Sequence, residues 1–189
     1  SLRINGQGAT LQVTEPKVSA YRPLEFVSPS SDPLVIINVA LYNLTLIGGD
    51  ISAASTTQEK NGGALYVKRA SLKLVNCTLT GKAYSGGGLY SETSTTLYMD
   101  GCLIDSCVVT HDLAGAVIGG FTGGFIIKNT TISNNDATAY GGCSGIDVSG
   151  VSVGTISNCI FKNNVSKSGR GGGALSYRSS SSLSFLTVE

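Results

Sequence analysis

The tetrad Gly-Gly-Ala-Leu at Gly62 to Leu65 returns in altered form until the chain stops, each time followed by the same short hydrophobic phrase. The glycine phrases begin at Gly62, Gly86, Ala114, Gly141 and Gly171 or Gly172, a period of about 24 to 30 residues. A second phrase recurs as Asn43-Leu-Thr-Leu, Asn76-Cys-Thr-Leu, Gly101-Cys-Leu-Ile, Asn129-Thr-Thr-Ile and Asn158-Cys-Ile-Phe. Fixed phrases at variable steps place insertions in turns while the segments between keep their register, as in stacked supersecondary units.

Those segments are period-2 stretches of leucine, β-branched and aromatic residues such as Leu65-Tyr-Val67, Leu72-Lys-Leu74 and Leu97-Tyr-Met99. Each is too short for a helix and is bounded by Gly, Asn or Ser, so each reads as a strand. Three strands in a unit of about 30 residues leave no room for a crossover helix. Stacking coils by parallel pairing at about 4.8 Å solves the packing. The expectation is an all-β, right-handed parallel β-helix of three-strand coils with pectin-lyase-like architecture, forming one domain over 1–189.

Three inward rows follow. Leu65, Leu89, Val117, Ile146 and Leu175 form one, Leu46, Leu79, Ile104, Ile132 and Phe161 the second, and Leu74, Met99, Ile127, Ile156 and Phe185 the third. Asn43, Asn76, Asn129 and Asn158 fall at a corner, where Asn tolerates left-handed backbone and can build an amide ladder. Ala64, Gly88, Ala116, Cys143 and Ala174 share a column that accepts only small side chains. All four prolines, Pro16, Pro23, Pro29 and Pro33, lie close together. Proline cannot donate to a ladder, so residues 14–33 read as a lateral excursion around a short strand near Leu24 to Phe26.

Charged residues make up 13% of the chain, against about 25% in typical domains. A net charge of +1 gives no basic footprint for nucleic acid. The longest apolar run, Leu34 to Ile47, is interrupted by Asn38 and Asn43 and is too short to insert in a membrane. Leu2 to Leu11 reads as a coil already under way, and Leu183 to Glu189 halts inside another. Open coils expose unpaired strand edges, so the expectation is a segment of a longer protein or a subunit associating end to end with copies of itself.

Chemistry-bearing residues are sparse. His111 is the sole histidine and falls in a turn, as a solvated loop residue. Lyase chemistry needs clustered acidic calcium ligands and a proton-abstracting base, whereas Asp100, Asp105, Asp112, Asp136 and Asp147 spread over several coils. No metal spacing or cofactor motif is present. Cys77, Cys102 and Cys159 share an inward column; buried free thiols are expected there over bridges, with Cys143 likewise buried and Cys107 beyond a corner.

Two surface features stand out. Tyr66, Tyr90 and Ile118 form an outward column on consecutive coils and Tyr98 and Ile126 another, a candidate contact strip for protein or sugar unless the excursion covers it. Sequons occur at Asn43, Asn76, Asn129 and Asn164. The first three coincide with the corner ladder, which leaves Asn164 as the expected glycan acceptor in a eukaryotic source.

Gly62-Gly-Ala-Leu65, Gly172-Gly-Ala-Leu175 and Phe161-Lys-Asn-Asn164 resemble the GGA(I/L/V) and FxxN repeats of the chlamydial polymorphic outer membrane proteins, over about residues 34–189. Ala114-Gly-Ala-Val117 departs from the first motif, and Leu79, Ile104 and Ile132 replace the phenylalanine of the second. The resemblance implies a β-helical surface adhesin whose partner is a host or neighbouring surface protein or glycan. The expected function is accordingly a non-enzymatic extracellular or cell-surface scaffold or adhesin. The alternatives are a self-assembling, glycosylated surface filament subunit and a polysaccharide lyase or glycoside hydrolase. Ice binding ranks last, because outward positions mix Lys, Tyr, Asp and Ser.

Overall fold

The computed structural model describes residues 1–13, 21–29, 32, 35–54, 56–94, 96–110, 116–121, 123–137, 144–149, 153–166, 173–178 and 185–188. The described strands pair in parallel and stack as a right-handed β-helix with three faces. The first face is Leu2–Asn5, Ile37–Tyr42, Ala70–Val75, Thr96–Asp100, Phe125–Lys128, Val153–Ser157 and Phe185–Val188. The second face runs through Thr10–Gln12, Thr45–Asp50 and Thr78–Ala83, after which each coil carries two successive short strands, such as Leu103–Asp105 and Val108–Val109, both paired with Thr78–Ala83. Leu24–Val27, Leu65–Lys68, Leu89–Ser94, Val117–Phe121, Ile146–Ser149 and Leu175–Arg178 make the third.

Period-2 alternation puts one side of each strand on the axis. Leu65, Leu89 and Ile146 are buried in register on the third face, and Leu46, Leu79, Ile104 and Ile132 on the second. On the first face the row is Leu41, Leu74, Met99, Ile127 and Ile156, but it continues to Val188 rather than Phe185. Phe185 instead pairs with Val153, three positions earlier. The fourth glycine phrase is also offset from its expected place. Val117 pairs with Ile146, which puts Gly145 rather than Cys143 in the small column. A side chain is excluded there, because a Cβ on Gly145 would lie 2.0 Å from the Ala174 carbonyl oxygen. Cys143, like His111 and Asp112, lies outside the described residues.

Corner chemistry sets the turns. Asn43, Asn76, Asn129 and Asn158 all take φ of 50 to 52°, the left-handed region that Asn tolerates. Asn43 Nδ2 donates to Asn5 Oδ1 at 3.1 Å, and Asn76 Nδ2 to Asn43 Oδ1 at 3.2 Å. Gly101 interrupts the ladder because a Cβ there would lie 2.5 Å from Asn76 Oδ1. The residue after each corner turns inward, and from the Asn76 corner onward it donates to the carbonyl two positions back. Cys77 Sγ reaches Val75 at 3.4 Å, Cys102 Asp100 at 3.5 Å, Thr130 Oγ1 Lys128 at 2.8 Å and Cys159 Sγ Ser157 at 3.2 Å. The column thus holds free thiols whose partner is a carbonyl, and burial pushes the Cys102 thiol up to about 12.

A second corner appears midway. Leu79 pairs with Ile104 and Lys82 with Val108, so the later coil carries one extra residue, as in a β-bulge. That residue is accommodated by left-handed backbone at Ser106, Asn134 and Asn163. The next side chain again turns inward. Asn135 Oδ1 accepts from the Cys107 amide at 2.8 Å, and Asn164 Oδ1 accepts from Asn135 Nδ2 at 2.9 Å.

Of the proline-rich excursion, 14–20, 30, 31 and 33 lie outside the described residues. Leu24–Val27 does not leave the stack. It pairs with Leu65–Lys68 as a strand of the third face, which is possible because Pro23 and Pro29 flank it without occupying a ladder position.

Candidate binding face

Along the first face the outward positions of successive coils align. Arg3, Ala40, Lys73, Tyr98, Ile126 and Thr155 form one row, and Asn5, Tyr42, Val75, Asp100, Lys128 and Ser157 its neighbour. Between the rows, cations and rings alternate coil by coil. The Arg3 guanidinium carbon lies 4.7 Å from the Tyr42 ring centroid, Lys73 Nζ 5.8 Å from Tyr42 and 5.0 Å from Tyr98, and Lys128 Nζ 5.5 Å from Tyr98. Each such contact is worth about 0.5–1 kcal/mol when exposed, enough to hold long side chains in a line.

Asp100 sits at the far end of this line. It accepts from Asn129 Nδ2 at 2.8 Å and from the Tyr98 hydroxyl at 3.1 Å, and pairs with Lys128 at 3.2 Å. The Asn129 bond, then Lys128 and Tyr98, hold its carboxyl below the usual carboxylate range. Hydrogen bonding to Tyr98 and Asp100 raises the Lys128 ammonium, so the charges stay fixed at neutral pH.

A groove of about 430 Å³ lies on this face, lined by Arg3, Asn38, Ser71, Lys73, Thr96 and Tyr98 among others. A second, of about 350 Å³, shares Thr96 and Tyr98 and runs on past Gly124, Ile126, Val153 and Thr155. Together they form one trough along the helix axis. Ile126 and Val153 on its lip are 46% and 52% exposed.

The third face behaves differently. Tyr66 and Tyr90 do stack, with centroids 5.8 Å apart and rings nearly parallel, and Ile118 follows Tyr90 in register. Tyr66, however, is fully buried, which corrects the expectation of an exposed strip there. Arg22 lies over its ring at 4.8 Å and is itself tied to Glu25 at 2.9 Å and to the Glu59 carbonyl at 2.7 Å. The Tyr66 hydroxyl donates to Glu92, whose other oxygen pairs with Lys68 at 2.5 Å. Tyr98 and Ile126 line the trough, whereas Tyr66 belongs to a clamp.

Burial and the Glu92 bond raise the Tyr66 phenol. Partial burial opposes ionisation of Glu92, but hydrogen bonds from Lys68 and Tyr66 outweigh it and lower its pKa. The Glu92 contribution to stability is therefore complete above its ordinary value of 4.5 and is lost as pH falls through the lower folded value. Asp50, Asp100 and Asp105 shift the same way. Thermal melts should thus drop steeply on acidification, with a shallower drop in Glu92→Gln. An identical acid limb in that variant would remove the clamp from the account.

Asp105 is engaged within the fold. It accepts from Ser133 Oγ at 2.5 Å, Ser106 Oγ at 2.7 Å and Asn134 Nδ2 at 2.7 Å, so it caps the second corner. Among the described residues, no three of His, Cys, Asp and Glu are grouped to hold a metal ion. Asn164 is not the open acceptor expected. Its Nδ2 donates inward to the Ile132 carbonyl at 2.9 Å while its Oδ1 serves Asn135. Asn76 and Asn129 are the exposed sequon residues and Asn43 is half-buried. Sequence reasoning missed Arg3, Tyr42, Lys73 and Lys128, although each falls on an outward position once the coils are set in register.

A family model for the right-handed β-helix region matches residues 31–189. The chain belongs to this right-handed β-helix family. No curated protein and no solved structure matches it. Within this β-helix the matched span covers the later part of the trough, from Asn38 to Thr155, while Arg3 and Arg22 precede it.

Proposed function

We propose that this β-helix is a non-enzymatic extracellular or cell-surface scaffold of the adhesive kind, with its first face as the contact surface. The observation that carries the reading is the alternating line Arg3, Tyr42, Lys73, Tyr98, Lys128 beside a continuous trough. A rigid β-sheet bearing preordered cations and rings suits recognition, since few rotamers remain to be frozen on binding. Asp100 and Asp105 support the same reading, being engaged as corner caps and ion-pair partners. The likeness of Gly62-Gly-Ala-Leu65 and Phe161-Lys-Asn-Asn164 to the chlamydial surface repeats favours the cell-surface setting.

The test compares wild type with a Lys73→Ala, Tyr98→Ser double variant for retention on immobilised glycans and surface proteins, and for release of reducing ends from polysaccharides. Wild type should be retained without product, and the variant should lose retention while still melting cooperatively, lowered only by the loss of its cation–ring contacts. Product release, or equal retention of the variant, would overturn the proposal.

A further inference from the structure

We infer that the occupant of the trough is a linear acidic polysaccharide, carrying carboxylate or sulfate groups. The inference rests on the contact reading above and narrows it to a ligand class. Among the described outward positions of the first face, three cations, Arg3, Lys73 and Lys128, stand against one acid, Asp100. Asp100 is paired with Lys128. Arg3 and Lys73 contact tyrosine rings and form no ion pair with an acid among the described residues. This surplus is local, because the whole chain carries only +1.

Spacing and neighbours then choose the polymer. Cations recur on every second coil, on the order of 10 Å apart, which fits charges repeating along an extended chain. Asn38, Ser71 and Thr96 stack beside them in register and line the trough. An uncharged row of amide and hydroxyl groups suits the hydroxyls of sugar rings between the acids. On the other lip, Ile126 and Val153 offer apolar surface to the C–H faces of such rings. A single-stranded nucleic acid fits less well. It draws its affinity from bases stacked on open aromatic faces, and here cations already lie over the Tyr42 and Tyr98 rings.

The experiment is calorimetric titration with polygalacturonate, heparin, neutral dextran and poly(dT), at low and raised salt, each variant first checked by its melt. Wild type should bind polygalacturonate or heparin, weaken with salt and ignore dextran. Lys73→Ala should lose about tenfold in affinity, and Lys73→Arg should restore it. Arg3→Ala, at the other end of the line, gives an independent reading. Dextran binding as tight as that of the acidic chains, with Tyr98→Ser weakening both, would overturn the acidic class while keeping the contact face. Acidic-chain binding unchanged in Lys73→Ala and Arg3→Ala, or poly(dT) bound more tightly than either acidic glycan, would overturn the inference outright.

Discussion

Replacing Gly63 by alanine should lower the stability of the β-helix by about 3 kcal/mol or more, the upper range for overpacking. A Cβ at Gly63 would lie 2.3 Å from the Gly87 carbonyl oxygen, 2.7 Å from the Lys82 amide nitrogen and 2.9 Å from the Gly81 carbonyl carbon. All three are main-chain atoms already tied into neighbouring coils, so none can rotate aside. Gly48 faces the same crowding from below, where a Cβ would meet the Gly63 carbonyl oxygen at 1.9 Å. These glycines let the turn entering the third face close against the second face. Gly49→Ala is the matched control, since its nearest contacts are Val13 Cγ1 at 3.3 Å and the Tyr21 carbonyl oxygen at 3.4 Å. Urea unfolding of the pair measures the difference. Equal midpoints would mean that the close approach does not exist in solution.

Leu79→Ala should cost about 2–5 kcal/mol. Leu79 has no accessible surface and stacks between Leu46 and Ile104, so truncation leaves a gap in the middle of a continuous row. Each coil leans only on its neighbours in a solenoid, and a central gap therefore weakens the coupling of the coils on either side. Thr78→Ala, one residue away and outward, should change stability by less than about 1 kcal/mol. A small effect at Leu79 and a large one at Thr78 would reverse the facing of the whole second face. Thermal melts followed by circular dichroism suffice to tell these apart.

Fold class and two of the three core rows were legible because the strand phrases repeat at coil spacing and alternate with period 2. Errors arose where the period changes. Val153–Ser157 and Phe185–Val188 align three residues away from the apparent match, and nothing in short apolar phrases distinguishes the two offsets. The second corner was hidden for a related reason. One extra residue between Ile104 and Val108 turns Asn135 and Asn164 inward, whereas Asn43 and Asn76 stay in the outer ladder. All four look alike as letters.

Burial of Tyr66 depends on Arg22, which precedes the matched repeat region and belongs to no repeating phrase. Periodicity alone therefore shows Tyr66 as outward but not as covered. The line on the first face was half legible. Tyr98 and Ile126 stand in recognisable units and Tyr42 adjoins the corner phrase at Asn43, whereas Arg3 precedes every such phrase, where sequence offers no phase for the coil.

Three successive coils place Lys73 between two rings, 5.8 Å from Tyr42 and 5.0 Å from Tyr98. Nuclear magnetic resonance of the labelled chain measures this directly, through the shifts of the Lys73 ε-methylene protons and their Overhauser contacts. Contacts to both the Tyr42 and Tyr98 rings, with upfield ring-current shifts that vanish in Tyr98→Ser at the Tyr98 side alone, are the predicted result. Lys73 protons at random-coil positions with no contact to either ring would contradict the register, and with it the binding face.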